Sequence, residues 1–240
     1  MCDKEIKITE TQKDEKNTHS NAFLTEADAK NNDTNANIKN YVNHKTVRVN
    51  ENHSVNRTDP DVYKVLFAFS KKESAVFHGH LSLIEIFSMS FRRAGLPVLY
   101  TLGFNPLAKI EIACPLTTGI SAYYELASAD FAIPVMTDVF VENLNKSLPK
   151  GFRIEGAECF FIKSGMKKHS LASLLWGFRY EGTEGSDFVK ASDEKTYRQK
   201  RLENGSSIFS LKREEVLSRN VIDKDTEWSS YFDTYRHLYQ

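Results

Sequence analysis

Residues 77–119 read FHGHLSLIEIFSMSFRRAGLPVLYTLGFNPLAKIEIACPLTTG, and this segment has the clearest secondary-structure pattern in the chain. Its apolar residues recur at three- and four-residue spacing from about His80 to Ala94, which predicts an amphipathic helix. Gly95 predicts the end of that helix, because glycine is the usual C-terminal stop. Two short strands are expected next, Val98–Leu102 and Lys109–Cys114, on either side of a Gly-Phe-Asn-Pro turn.

The same kind of pattern continues on both sides of this segment. Val62–Ser70 alternates as a strand does, Ser121–Ile133 and Phe152–Lys163 are further strands, and Thr137–Leu148 is a second amphipathic helix. The order strand, helix, strand, strand, helix, strand is that of a split βαβ unit. We therefore predict an α+β fold, a ferredoxin-like sandwich with two helices on one antiparallel sheet.

Composition divides the chain into three parts. Residues 1–60 contain eleven Asn and few aliphatic residues, which predicts a disordered arm because little apolar surface can be buried. Residues 61–168 form the predicted ferredoxin-like domain. Residues 169–240 are expected to be a small C-terminal extension, an incomplete second α+β unit that ends in a helix from Trp228 to Tyr239.

Charge and cysteine content exclude several classes of protein. The net charge is zero and no segment is strongly basic, which argues against an autonomous nucleic-acid binder. The three cysteines are too few and too scattered for a disulfide framework, a zinc site or a cluster-binding motif, so no cofactor is expected in this chain. No apolar run is long enough to span a membrane, and we expect a soluble, cytoplasmic protein.

Four short blocks follow one another at fixed spacing: FHGHLSL at 77–83, RRAGLP at 92–97, GFNP at 103–106, and PLTTG at 115–119, with Glu125 after them. Together they resemble the radical-SAM-linked protein family, a domain of unknown function found beside radical SAM enzymes or fused to their C-terminus. The resemblance covers residues 62–165. It implies a radical SAM enzyme as partner, with S-adenosylmethionine and the iron–sulfur cluster on that partner.

The chain departs from the family pattern at two blocks. Where the family usually has Ser-His-Leu-Asp-Leu, this chain has Gly79 and Ser82 in place of the Ser and the Asp. Where the family has Asn-Pro-His-Pro-Arg, this chain has Leu107 and Lys109 in place of the His and the Arg. The lost His and Asp remove the best candidates for acid–base or metal chemistry, which indicates a divergent member and favours a non-catalytic role.

Three residues of the first helix are candidates for binding substrate or partner. His80 matches the family at the start of the helix, where it either has a surface or capping role or contacts a ligand. Arg92 and Arg93 lie near the helix C-terminus, where cations interact favourably with the helix dipole. The alternative for this arginine pair is a site for a phosphate or carboxylate group.

The remaining candidates follow that helix. Phe104 either plugs the core beneath its turn or is exposed beside Tyr100 and Asn105, where it could stack on a base of single-stranded RNA. Lys109 is either a solvated charge or part of a discontinuous basic surface that it would share with Lys163 if their strands are neighbours. Glu125 either pairs with a cation or faces solvent in the middle of its strand.

Three functional hypotheses follow. The first is a non-catalytic accessory protein that presents a substrate, an RNA or a ribosome-associated one, to a radical SAM enzyme. The second is a stand-alone RNA-binding module. The third, which the missing His and Asp disfavour, is an enzyme that acts at a corner formed by His80, Arg93 and Asn105.

Overall fold

A computed structural model of the chain describes residues 60–182, 185–223 and 225–240. The disordered arm predicted over residues 1–60 lies outside this part of the chain, apart from Pro60. Helices and strands alternate through the described residues. The elements up to residue 162 are β1 (Val62–Lys71), α1 (His80–Arg93), β2 (Ile110–Ile112), β3 (Ser121–Phe131), α2 (Thr137–Ser147) and β4 (Phe152–Ile162).

The second part continues with strands and short helices. These are α3 (Leu171–Leu174), β5 (Leu175–Glu181), β6 (Ser186–Lys190), α4 (Glu194–Glu203), β7 (Lys212–Arg219), β8 (Trp228–Ser229) and α5 (Tyr231–Tyr239). Two short 3-10 turns, Glu73–Phe77 and Ile208–Ser210, precede α1 and β7.

The two amphipathic helices predicted from the sequence are confirmed as α1 and α2. The predicted strand Val98–Leu102 is wrong, because only single bridges form there, from Val98 to Phe131 and from Tyr100 to Ala108. The terminal helix starts at Tyr231 and not at Trp228. The reason is local: the Ser230 side chain accepts a hydrogen bond from the Asp233 N–H and caps the helix at that point.

All eight strands belong to one sheet of order β4-β1-β3-β7-β5-β6, with β2 paired to β3 and β8 paired to β7. The β3–β7 pair is parallel, and the other strand pairs of the described residues are antiparallel. The mixed helix-and-sheet character predicted from the sequence is confirmed. Strands from the C-terminal part add directly to the sheet that the first part begins.

Both faces of the sheet are buried at its centre, as β1 shows. Val65, Phe67 and Phe69 pack with Phe87 of α1 and with residues of α2, on the face that the alternation predicts. The intervening Leu66 and Ala68 lie in a second cluster, which contains Tyr235 of α5. A strand that is buried on both faces has a nearly continuous apolar sequence, and the sequence of β1 is of this kind.

Candidate functional site

Helix α1 leads into the hairpin, which we define as residues 99–109. Gly95 ends the helix with a φ of +68°, and the Leu96 N–H donates to the Phe91 carbonyl at 2.9 Å in a Schellman arrangement. The helix stop predicted at Gly95 is therefore confirmed.

The hairpin is closed by its own main chain. The Lys109 N–H donates to the Leu99 carbonyl at 2.7 Å, and the Thr101 N–H donates to the Leu107 carbonyl at 2.8 Å. The Leu107 N–H also donates to Thr101 Oγ1 at 3.0 Å. These bonds give the hairpin a defined shape that does not depend on burial of its side chains.

Three large apolar side chains project from the end of the hairpin, and we call them the apolar tip: Leu102, Phe104 and Leu107. Phe104 is fully exposed, Leu102 is 92% exposed and Leu107 is 64% exposed. The reading of Phe104 as a core plug is therefore wrong. Single exposed apolar residues are common, but a cluster on one protruding turn is typical of an interaction site.

Most of the predicted site residues lie on α1 or in the hairpin that follows it. Asn105 is exposed at the turn, Tyr100 lies at the base of the hairpin, and the main chain of Lys109 closes it. Arg92 and Arg93 are exposed in the last turn of α1, just before the chain enters the hairpin. The arginine pair and the tip thus lie on consecutive elements.

His80 does not belong to this group. It begins α1 and Arg93 ends it, so about 20 Å of helix separates the two residues. The catalytic corner hypothesised from His80, Arg93 and Asn105 is therefore not formed. The His80 Nδ1 atom is buried and has no hydrogen-bond partner among the described residues.

The basic surface expected from Lys109 and Lys163 is not formed in the way predicted. Lys109 precedes β2 and Lys163 follows β4, and two strands, β1 and β3, lie between these strands in the sheet. A basic residue of β4 itself, Arg153, pairs with Glu155 at 3.7 Å.

Glu125 is buried, so the alternative in which it faces solvent is wrong. Its carboxylate accepts two hydrogen bonds from Arg213, at 2.7 Å from Nε and 3.2 Å from Nη2. The Arg213 side chain is wholly buried, and its guanidinium lies 4.3 Å from the centre of the Phe178 ring. We call Glu125 and Arg213 the buried ion pair.

Other polar groups complete the surroundings of this pair. Arg213 Nη1 lies 3.4 Å from Glu194 Oε1 and 3.3 Å from the Cys114 sulfur. The hydroxyl of Tyr180 donates to the same Glu194 oxygen at 2.6 Å. These contacts join β3, β5, α4, β7 and the loop after β2.

Burial dominates the electrostatics of this cluster. It raises the pKa of Glu125, although the charge of Arg213 opposes the shift. It lowers the pKa of Lys71, whose Nζ donates to the His78 carbonyl at 2.8 Å. It raises the pKa of the Cys114 thiol to about 11, so this cysteine is protonated and a poor nucleophile at neutral pH. Glu125 and Arg213 are buried away from solvent, and their contacts hold several elements of the sheet together.

The described residues offer neither a metal-binding cluster nor a membrane-spanning helix. No group of three His, Cys, Asp or Glu side chains there could hold a metal ion. No helix there is long and apolar enough to cross a membrane.

Sequence reasoning missed Arg213 and two of the three tip residues. Arg213 stands in the charged run KREE, which resembles a solvated strand and carries no signal of burial. Leu102 and Leu107 could have been found, because they flank a Gly-Phe-Asn-Pro turn whose composition predicts exposure.

The chain was compared with known protein families and with curated proteins. The model of a family described as "uncharacterized protein conserved in bacteria" (DUF2344) matches residues 64–229, which include the hairpin and both members of the buried ion pair. No curated protein matches the chain.

Proposed function

The chain belongs to this bacterial family, DUF2344, and we propose that it is a non-catalytic accessory protein that docks onto a protein partner through the apolar tip. The observation that carries the proposal is the exposure of Leu102, Phe104 and Leu107 on a hairpin closed by main-chain hydrogen bonds. The proposed partner is a radical SAM enzyme, which would hold the S-adenosylmethionine and the iron–sulfur cluster.

The energetics of the tip favour docking. Full burial of a Leu or Phe side chain stabilises a complex by about 1.5–3 kcal/mol, so three such side chains offer a gross gain of roughly 5–9 kcal/mol. Part of that gain is lost to the entropy of association. The loss is reduced here because the hairpin is already ordered by its own hydrogen bonds. Arg92 and Arg93, exposed in the last turn of α1 before the hairpin, would add the charged groups that the polar rim of an interface contains.

The choice of partner rests on the resemblance of the sequence blocks at 77–83, 92–97, 103–106 and 115–119 to the radical-SAM-linked family. The strand order β4-β1-β3-β2, with antiparallel neighbours, supports the ferredoxin-like assignment for the first part of the chain. In this proposal the accessory protein presents a substrate, an RNA or a ribosome-associated one, to the enzyme.

The test is co-purification of the tagged chain from its native cells, with ribonuclease present. We expect the unchanged chain to recover a radical SAM enzyme, and the combined variant Leu102→Ser, Phe104→Ser, Leu107→Ser to lose it. Leu81→Ser is the matched control, because Leu81 is an exposed leucine on α1 that lies outside the tip. Equal recovery by the tip variant, or no radical SAM enzyme with any variant, would contradict the proposal.

A second function, binding of single-stranded RNA, is favoured by one observation: an exposed Phe104 close in sequence to Arg92 and Arg93. Bases stack on aromatic faces, and binding of that kind weakens with salt by about one unit of log–log slope per phosphate contact. Leu102 and Leu107 have no ring on which a base can stack, which is why we favour a protein partner. Phe104→Leu separates the two functions, because it keeps the apolar surface and removes the ring.

A further inference from the structure

A groove of about 680 Å³ runs between helix α2 and strand β4. Among the described residues, strand β4 is at the end of the sheet and pairs with β1 along one side only. Its other side therefore presents main-chain N–H and C=O groups toward the groove, as the edge strand of any sheet does. Gly156, which has no side chain, and Ala157, which has only a methyl group, line the strand side and leave the edge open.

One side chain shows what this edge can bind. The Asn145 amide of α2 donates to the Ile154 carbonyl at 3.1 Å, and its Oδ1 accepts from the Ile154 N–H at 2.7 Å. A neighbouring strand would make the same two bonds. Glu155 has no partner in β1, because Ile154 pairs with Phe69 and Gly156 pairs with Ala68, so the strand has a bulge at this position. Beyond the bulge, over 156–157, no main-chain hydrogen bond from another described element occupies this edge. The main-chain groups to which one more strand would bond are therefore available next to Asn145, whose amide bonds to Ile154 as a strand would.

The helix side of the groove indicates the chemistry of the occupant. Glu142 pairs with Lys146 at 2.6 Å, and Glu155 pairs with Arg153 at 3.7 Å. Asp138 has no ion-pair partner among the described residues, and it lines the groove as Val141 does. The charged side chains that line the groove therefore sum to one negative charge, and Asp138 carries it in the first turn of α2.

The spacing of these two helix residues suits an extended chain. Asp138 and Val141 are three residues apart on α2, which places their Cβ atoms about 5–6 Å apart on one face. Alternate residues of a strand are separated by about 6.5 Å and point to the same side. A strand in the groove can therefore place a basic residue against Asp138 and an apolar residue two positions away against Val141.

We propose that this groove binds an extended peptide segment of a partner protein, which adds as a strand to the edge of β4 and carries basic and apolar residues in alternate positions facing α2. The inference does not rest on the apolar tip, because the groove is built from α2 and β4 and the tip lies on the hairpin after α1. Addition of a strand to a sheet edge beside a helix is a recurrent mode of peptide recognition.

The experiment uses the full chain and four fluorescent synthetic peptides, with binding measured by anisotropy. The parent peptide repeats Lys-Thr-Val-Thr three times, and a second peptide has Glu in place of every Lys. The third and fourth are the parent with one or the other alternate set of amides N-methylated. We expect the parent to bind and the Glu peptide to bind at least about tenfold more weakly, because its charge opposes Asp138.

The two N-methylated peptides test directly whether the peptide binds as an added strand. Only one alternate set of amides in an added strand faces β4, so one isomer should lose at least about tenfold in affinity and the other should keep it. Absence of parent binding, or equal binding of both isomers, would overturn the proposal.

Matched variants of the chain locate the site. Val141→Lys should abolish binding, whereas Val139→Lys should preserve it, because Val139 lies two positions away on the same helix, is 43% exposed and does not line the groove. Asp138→Asn, a milder change at an exposed position, should weaken binding of the parent peptide about tenfold while the fold is retained. Equal losses in Val139→Lys and Val141→Lys, or an unchanged affinity in Asp138→Asn, would overturn the proposal.

Discussion

The hairpin and the buried ion pair reverse the usual placement of side chains. The hairpin exposes large apolar groups to water, whereas the ion pair holds two charges in the interior. The hairpin is closed by contacts between residues six to ten positions apart, and the ion pair joins residues 88 positions apart. Each arrangement costs free energy in its own surroundings. Exposure of the apolar tip is unfavourable in water, which suggests that a partner covers it. Burial of the two charges is unfavourable unless the surrounding strands and helices hold them together.

The largest effect on stability is expected when the ion pair is broken. Arg213→Met should lower the free energy of unfolding by about 3–5 kcal/mol, because Glu125 is left charged and unpaired in the interior. Urea unfolding measures this change. The double variant Glu125→Leu, Arg213→Met should recover most of the loss.

A surface pair provides the control for that measurement. Arg236 pairs with Glu158 at 2.8 Å and is half exposed, so Arg236→Met should cost less than about 1 kcal/mol. Equal losses for Arg213→Met and Arg236→Met would contradict the architectural role of the buried ion pair.

The next largest effect is a pH dependence that arises from Cys114. Its pKa is raised by burial from about 9 to about 11, so the unfolded thiol ionises at a lower pH than the folded one. The unfolded state is therefore favoured as the pH rises from 9 to 11, and the loss reaches about 2–3 kcal/mol at the upper end.

Unfolding in urea at a series of pH values tests this. Cys114→Ala should remove that part of the pH dependence, and Cys159→Ala should leave it unchanged. Parallel pH profiles for the wild type and Cys114→Ala would show that the thiol is not protected in the folded protein.

A smaller effect is expected at the entrance to the hairpin. Gly95 has a φ of +68° and open space where a Cβ would lie, so Gly95→Ala should cost about 1–2 kcal/mol through backbone conformation alone. Gly95→Asn should cost less, because Asn tolerates this conformation. Thermal unfolding of the two variants measures the difference, and equal melting temperatures for Ala and Asn would argue against this explanation.

The smallest effect on stability is expected at the apolar tip itself. The combined variant Leu102→Ser, Phe104→Ser, Leu107→Ser should change the free energy of unfolding by no more than about 0.5 kcal/mol, because these side chains are exposed. The same variant should lose partner recovery. A large loss of stability would show that the tip packs against the protein and is not held ready for a partner.

The sequence predicted the parts of the fold that depend on local pattern. The three- and four-residue apolar spacing of α1 and α2, the stop at Gly95 and the alternation in β1 are short-range signals, and the structure confirms each of them. The strand predicted at Val98–Leu102 did not form, and two single bridges, to Phe131 and to Ala108, stand in its place.

What the sequence by itself determined is therefore the two helices, the strands β1, β3 and β4 and the position of the Gly-Phe-Asn-Pro turn, since propensity and turn chemistry act over a few residues. Only the tertiary structure decided that β7 joins β3, that Arg213 meets Glu125 and that β4 has a free edge beside α2. Those features depend on residues far apart in the chain, whose pairing is settled by packing of the whole sheet. The sequence of a strand does not show whether a charged residue in it faces water or a buried partner.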